Sequence, residues 1–457
     1  MPFRPCNKNA RERFFFAVAV FRRNWLTLLW GLVPLGAQGQ SELPLYPEAV
    51  FPELAPALEA AAEVHPSIQA ANMRAALAAA RADEAAAAKR PRATAFARTT
   101  GTYITREDID AEWRAGLDGN LTLSQPIYHW GALDATIDAG RAASDATQAE
   151  TLVERQRLLA HVRDLYLRWR QAEALDAQLV DSIAATEQRI DAQRQLLEAG
   201  QRSEADVLRV ELSLLENEET RAANAIELNS VAREFFAATG NQPPSGVADA
   251  VFGLPTVEAI DRWAAALRQQ IEGTDAFQAA SARAREAAAR LEIARVAQRP
   301  KVDLVTGVFG DQLDSVNNTD SVYRVQYFAG LQVRWDFFDG GRTRARIISE
   351  QATQRLREAE SEALADRLAT DLARRLAELE LHRSRVETRD ARIAILERQV
   401  ELLERESQRD RTSQRELVEQ RLRLAELRRL SLDARFAFLR TLNAINAVFF
   451  PDPILLR

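Results

Sequence analysis

From Tyr323 to Phe337 the chain alternates. Tyr323, Val325, Tyr327, Ala329, Leu331, Val333, Trp335 and Phe337 hold the odd positions; Arg324, Gln326, Phe328, Gly330, Gln332, Arg334 and Asp336 hold the even ones. Successive strand residues point to opposite faces, so this period of two predicts a strand with one apolar and one more polar face. Its length suits a tilted strand in a bilayer better than a strand of a soluble domain. Tyr323, Val325, Tyr327, Leu331, Val333 and Trp335 are then the membrane-facing residues. Val302 to Gln312 opens with the same alternation at Val302, Leu304, Thr306 and Val308. Earlier, Ala115, Leu117, Leu121 and Leu123 share a face, and Arg92 to Ile104 carries Ala93, Ala95 and Ala97 on its apolar side. Polar loops at 105–112 and 313–320 join each pair. Four strands cannot close a barrel with a lumen, and a membrane sheet leaves no open edge. Other chains must complete it, and three copies supply twelve strands.

A different period governs the segments after each strand pair. Residues 132–199 and 342–409 are each 68 residues long without a proline, which as helix is roughly 100 Å. Leu372, Leu379, Val386, Ile393 and Val400 recur every seven residues. Val162, Leu165, Trp169 and Ala172 alternate spacings of three and four, and Leu179, Ile183 and Ile190 continue the seam. A sustained 3.5-residue period predicts helices packed side by side in a left-handed supercoil. Returning helices are predicted over about 203–238 and 413–447. A soluble coiled-coil hairpin would explain the helices; it does not explain the strands.

The two halves match. His65-Pro66-Ser67-Ile68-Gln69-Ala70-Ala71 aligns with Thr274-Asp275-Ala276-Phe277-Gln278-Ala279-Ala280, and Arg90-Pro91 with Arg299-Pro300, at an offset of 209. Leu121 and Leu123 align with Leu331 and Val333, and Ile127-Tyr128 with Phe337-Phe338, at 210. A slip of one residue over a whole unit indicates duplication. The first repeat is placed at 40–240 and the second at 256–450, with a linker at 241–255 opening on Asn241-Gln242-Pro243-Pro244-Ser245-Gly246. Within each repeat the Arg-Pro pair ends a helix and starts an extended segment.

Residues 1–39 read as an export signal. Arg4, Lys8, Arg11, Arg13, Arg22 and Arg23 precede an apolar run from Trp25 to Leu35, followed by the small residues Gly36, Ala37 and Gly39. That run is too short to span a membrane as a helix; a short N-terminal anchor is the competing reading. Cys6, the one cysteine, precedes the run and cannot be a lipid-bearing first residue. It also excludes an intrachain disulfide and a cysteine-based metal site. Gly and Pro are sparse, at 18 and 16 in 457 residues, which argues against an all-β chain. A net charge of −6 gives no reason to expect a nucleic-acid partner.

Nothing points to catalysis or a cofactor. The sequence holds no Gly-rich phosphate loop, metalloprotease-type histidine pair or nucleophile elbow. His65, His129, His161 and His382 are scattered. His129 lies at a strand-to-helix junction, where an aromatic cluster with Tyr128 and Trp130 is the simpler reading.

The doubled order of helix, strand pair, long helix, turn and returning helix resembles TolC-like outer-membrane efflux proteins over about residues 50–450. Similar motifs are Leu123-Ser124-Gln125-Pro126-Ile127-Tyr128, Val333-Arg334-Trp335-Asp336-Phe337-Phe338-Asp339-Gly340-Gly341 and the turn Ala199-Gly200-Gln201-Arg202-Ser203-Glu204-Ala205-Asp206-Val207-Leu208. The resemblance implies a mainly helical chain with membrane strands. A homotrimer would form a twelve-stranded β-barrel in outer-membrane lipid and an α-helical barrel in the periplasm. It implies a passive exit duct, for efflux or type I secretion, served by a periplasmic adaptor and an inner-membrane pump of RND or ABC type. It places a periplasmic aperture at Asp206, Glu416 and Glu419. It places adaptor-docking tips at Gly200, Gln201, Arg202 and Ser203, and at Arg411, Thr412 and Ser413. The competing reading makes Glu416 and Glu419 solvated residues near a helix N-terminus, where carboxylates are favourable anyway. Asp410 stands where the family usually has glycine. A periplasmic coiled-coil adaptor is the alternative function, although adaptors usually carry one hairpin, not two.

Overall fold

The computed structural model describes residues 46–106, 109–244, 253–314, 321–407 and 411–455. The proposed export signal, the middle of the linker, Asp410 and parts of both strand loops lie outside the described residues. Short helices α1 (Pro47–Val50) and α2 (Ala55–Val64) lead into α3 (Pro66–Ala87). Strands β1 (Arg92–Arg106) and β2 (Ile109–Tyr128) follow, then α4 (Ala132–Glu198) and α5 (Glu204–Thr239). The second repeat runs α6 (Val257–Gln269), α7 (Asp275–Arg295), β3 (Lys301–Asp314), β4 (Ser321–Arg334), α8 (Arg342–Ser407) and α9 (Arg411–Phe449).

The strands form one antiparallel sheet in the order β1-β2-β3-β4. Each hairpin is local, but β2 pairs with β3 across the repeats, with Leu121 opposite Val308 and Leu123 opposite Thr306. The alternation expected to run to Phe337 stops at Arg334. Trp335 lies beyond the strand and 58% exposed, with its indole N–H donating to the Gln298 carbonyl at 2.9 Å. Trp335 therefore ties the strand end to the segment before Arg299-Pro300 and is not a strand residue. Gln125 does the same in the first repeat, its Nε2 donating to the Lys89 carbonyl at 2.9 Å.

The heptad seam is buried as its period requires. Leu372, Leu379 and Val386 are at most 1% exposed, and Val400 packs with Leu403, Leu417 and Leu424 where α8 and α9 run together. Val162, Leu165, Ala172, Leu179 and Ile190 are buried along α4. The two repeats interlock, since α4 packs against α7 and α9 as well as α3 and α5. Two larger cores sit at mid-height of the long helices. One gathers Phe51, Leu54, Leu58, Tyr166, Phe235 and Phe436; the other gathers Ile260, Trp263, Leu372, Leu379 and Phe438.

The first and last described segments meet at a buried charge. Arg163 of α4 is 1% exposed as a side chain. Its Nε and Nη2 donate to Glu48 of α1 at 2.8 and 2.6 Å, and its Nη1 and Nη2 donate to Asp452 beyond α9. A buried guanidinium is tolerable only while its partners remain. Asp452→Ala is expected to destabilise the protein by about 3–5 kcal/mol. Arg194→Ala, which breaks an exposed pair with Glu211, is expected to cost at most about 1 kcal/mol. Denaturant midpoints of the detergent-solubilised variants, followed by tryptophan fluorescence, measure both.

Candidate functional site

Two regions carry the functional reading: the sheet faces and the turns between long and returning helices. On β4 the side chains of Tyr323, Val325, Tyr327, Leu331 and Val333 are 60–84% exposed. Registration puts Leu304 opposite Leu331, Val302 opposite Val333 and Val308 opposite Tyr327 on the same face. Leu117, Leu121 and Leu123 of β2 continue it at 55%, 53% and 43% exposure. So large an exposed apolar surface is stable in water only when something covers it. The other face carries Arg98, Asp118, Asn120, Thr122, Ser124, Asp311, Arg324 and Gln326.

At the strand-to-helix junction, Trp130 adopts φ 57°, a conformation that the second repeat gives to Gly340 at φ 65°. The Trp130 indole donates to the Pro300 carbonyl at 2.7 Å, and its ring lies edge-on to Tyr128 at 4.9 Å, the aromatic cluster expected there. His129 is held elsewhere, by a contact across the repeats. Its Nε2 lies 2.8 Å from Asp303 Oδ1, both side chains largely covered, joining the end of β2 to the start of β3. Only a pairing of the repeats reveals that contact.

The first turn is built for its conformation. Gly200 takes φ 69°, a region costly for other residues. The Gly200 amide donates to the Leu197 carbonyl and the Gln201 amide to the Leu196 carbonyl, both at 2.9 Å, which closes the end of α4 as a Schellman motif. Ser203 then caps α5. The Asp206 carboxylate accepts from the Ser203 hydroxyl at 2.9 Å and from its amide at 3.3 Å. Arg209 approaches Asp206 at 3.2 Å and Arg202 at 4.0 Å. The Ser203 hydroxyl and amide hold the Asp206 carboxyl below the usual carboxylate range, with Arg202 and Arg209 adding to the effect. Asp206 is thus the reciprocal member of a capping box.

The second turn is displaced from where the sequence puts it, with α9 starting two residues earlier. Arg411, Thr412 and Ser413 form the first turn of α9 rather than a loop before it, leaving only residues 408–410 between α8 and α9. Glu416 is exposed, and Glu419, on the next turn of the helix, pairs with Arg423 at 3.0 Å. Behind the turns, Arg194 bonds Glu211 at 2.7 Å, and at the equivalent positions Glu404 bonds Arg421 at 2.6 Å with the charges exchanged. Among the described residues no helix is long and apolar enough to cross a membrane. No group of three or more His, Cys, Asp or Glu among them is placed to hold a metal.

A sheet with an apolar outer face, continued by long paired helices and made twice over, defines a membrane-embedded duct protein. Residues 57–241 and 266–449 match the outer membrane efflux protein family, and the chain belongs to it. It is an outer-membrane efflux channel; that family is one of channels rather than enzymes, and the adaptor alternative falls. CusC, solved for its folding and transmembrane channel formation, is similar with a TM-score of 0.71 at 15% identity, covering 92% of this chain and 98% of that one. The Campylobacter jejuni CmeC outer membrane channel gives 0.72 at 11%, covering 92% and 90%. The open state of the Neisseria gonorrhoeae MtrE outer membrane channel gives 0.67 at 15%, covering 87% and 88%. No curated protein matches the sequence.

The two sheet faces make opposite demands. Leu331→Arg, on the apolar face, is expected to cost about 2–4 kcal/mol in the bilayer and to deplete assembled protein from outer membranes. Gln332→Arg, one residue on and on the other face, is expected to leave assembly near wild type. Heat-modifiable oligomer in membrane extracts measures the difference.

Proposed function

We propose that three copies close the sheet into a twelve-stranded barrel in the outer membrane and that the long helices continue the duct into the periplasm. The observation that carries this reading is the sheet itself. It has an apolar outer face and two edges, β1 and β4, with no further strand beside them among the described residues. Unpaired backbone groups in hydrocarbon cost several kcal/mol each, so the strands are completed by copies of themselves. Twelve strands enclose an open lumen where four do not. Residues 1–39 act as the export signal. The repeats, about 40–240 and 256–450, each supply one hairpin to the barrel and one helical pair to the tube.

Cargo enters at the helix turns. An inner-membrane pump, of RND or ABC type, delivers it through a periplasmic adaptor that docks on Gly200, Gln201, Arg202 and Ser203, and on Arg411, Thr412 and Ser413. Asp206, Glu416 and Glu419, repeated by threefold symmetry, line the aperture and favour cations there. The capping role of Asp206 is compatible with this, because its carboxylate stays charged while it holds the turn.

Detergent-extracted protein is expected to have the mass of a trimer, and a monomer in the soluble periplasmic fraction would end the reading. In planar bilayers, Asp206→Ala with Glu416→Ala should raise single-channel conductance and lower cation preference. Asp206→Asn with Glu416→Gln separates charge from capping, since Asn keeps an acceptor for Ser203. It should lower cation preference as the alanine pair does, and unchanged selectivity in both would remove these residues from the aperture.

A further inference from the structure

Four charged residues stand in one row across the whole sheet. Arg98 of β1 is opposite Asp118 of β2, Asp118 is opposite Asp311 of β3, and Asp311 is opposite Arg324 of β4. All four lie on the face opposite the apolar one. Arg98 Nε donates to Asp118 Oδ1 at 3.0 Å. Arg324 Nε and Nη2 donate to Asp311 Oδ1 and Oδ2 at 3.0 and 2.7 Å. The row is formally neutral, but its two signs are not presented equally. The Arg98 and Arg324 side chains are 60% and 41% exposed, whereas Asp118 and Asp311 are 22% and 17% exposed. No acceptor among the described residues takes either terminal nitrogen of Arg98, or Nη1 of Arg324. A guanidinium has five N–H donors, so both arginines turn unused donors toward the space in front of the sheet.

Below this row, two residues along each strand, comes a row of different chemistry. Phe96, Asn120, Phe309 and Gln326 are registered side by side, and Phe328 lies one further level down opposite Gly307. A Cβ on Gly307 would come within 2.9 Å of the Phe328 ring and 2.4 Å of the Leu121 carbonyl, so glycine there lets the ring lie across the strand. Phe96 and Phe328 are 49% and 41% exposed. Arg98 Cζ lies 5.9 Å from the Phe96 ring centroid, so on this face a guanidinium and an aromatic ring already stand together. At about 3.3 Å per residue the arginine row lies roughly 7 Å from the Phe96 row and roughly 13 Å from Phe328, so an aromatic acid held by Arg98 reaches Phe96.

We propose that this face forms a guanidinium-and-phenylalanine girdle inside the duct that binds organic anions in transit. The carboxylate or sulfonate of the cargo takes the free donors of Arg98 or of Arg324, and its apolar body rests on the phenylalanine below that arginine, Phe96 under Arg98 and, for a longer cargo, Phe328 under Arg324. The inference rests on the proposed closed duct, because only closure turns this face into a lumen. Repeated three times, the girdle selects opposite in sign to the acidic aperture. Charge-assisted, bidentate contact is the mode in which arginine recognises carboxylate and sulfonate.

Two pairs of substitutions break the same two ion pairs and leave opposite charge. Arg98→Gln with Arg324→Gln removes the cations; Asp118→Asn with Asp311→Asn leaves the arginines unpaired. Reversal potentials in a potassium chloride gradient, and block by 1-naphthalenesulfonate added on the strand-loop side, read the effect. The glutamine pair should shift permeability toward potassium by roughly tenfold and abolish the block. The asparagine pair should shift it toward chloride and strengthen the block. Shifts of the same sign, or block that is equal in all three proteins, would overturn the girdle, because a purely structural role treats both pairs alike. Should the glutamine pair fail to assemble, the asparagine pair decides by itself. A wild type that conducts but is indifferent to the anion removes only the girdle; a wild type that does not conduct removes the duct with it.

Discussion

The structure depends on one constraint: a peptide group inside a hydrocarbon layer must find its hydrogen bonds within protein. Four antiparallel strands satisfy the inner ladders and leave the outer edges of β1 and β4 open. The constraint reaches beyond the sheet. In the proposed closed barrel, strands that meet those of another copy need supports that fix their height, and the long helices provide them. Trp335 and Gln125 bond the strand ends to the carbonyls before each Arg-Pro, and His129 with Asp303 ties one repeat to the other. Below, α4 touches α3, α5, α7 and α9, so the strand positions are inherited from a single interlocked helical body.

How much was legible in the sequence follows from how local each signal is. The alternation of β4 and the seven-residue seam of α8 are local periods, and both are realised at the named residues. Trp335 shows the limit: alternation continues through it, but its side chain is claimed by the Gln298 carbonyl and the ladder stops one residue earlier. Likewise no periodicity says whether Arg411 ends a loop or begins a helix. Arg163 was not anticipated, since its partners Glu48 and Asp452 are 115 and 289 positions away. Nor was the row from Arg98 to Arg324, which exists only once β2 is registered against β3.

Asp206 illustrates a different difficulty. Its place three residues after Ser203 is that of a capping box, and the hydrogen bonds show it caps α5. The same place also sets a carboxylate beside the turn where a duct would open. The two roles share one chemistry, a charged carboxylate held near a helix N-terminus, so residue type cannot separate them. A group already ordered by its own helix loses little further freedom in lining an aperture, which makes the capping contact a support for the other role rather than a rival to it.

The duplication is faint because the fold constrains contacts more than residues. At offset 210 from one repeat to the next, Arg194 with Glu211 becomes Glu404 with Arg421, an exchange of charges that preserves the ion pair and erases both identities. Trp130 at positive φ becomes Gly340. The link from Gln125 to Lys89 becomes one from Trp335 to Gln298, an amide replaced by an indole that donates at the same 2.9 Å. Each exchange keeps a donor, an acceptor or a backbone angle while discarding the side chain that supplied it. The same reasoning explains how CusC is alike at a TM-score of 0.71 with only 15% identity: in a structure made of repeated seams and strand registers, what persists is the position at which a bond must be made.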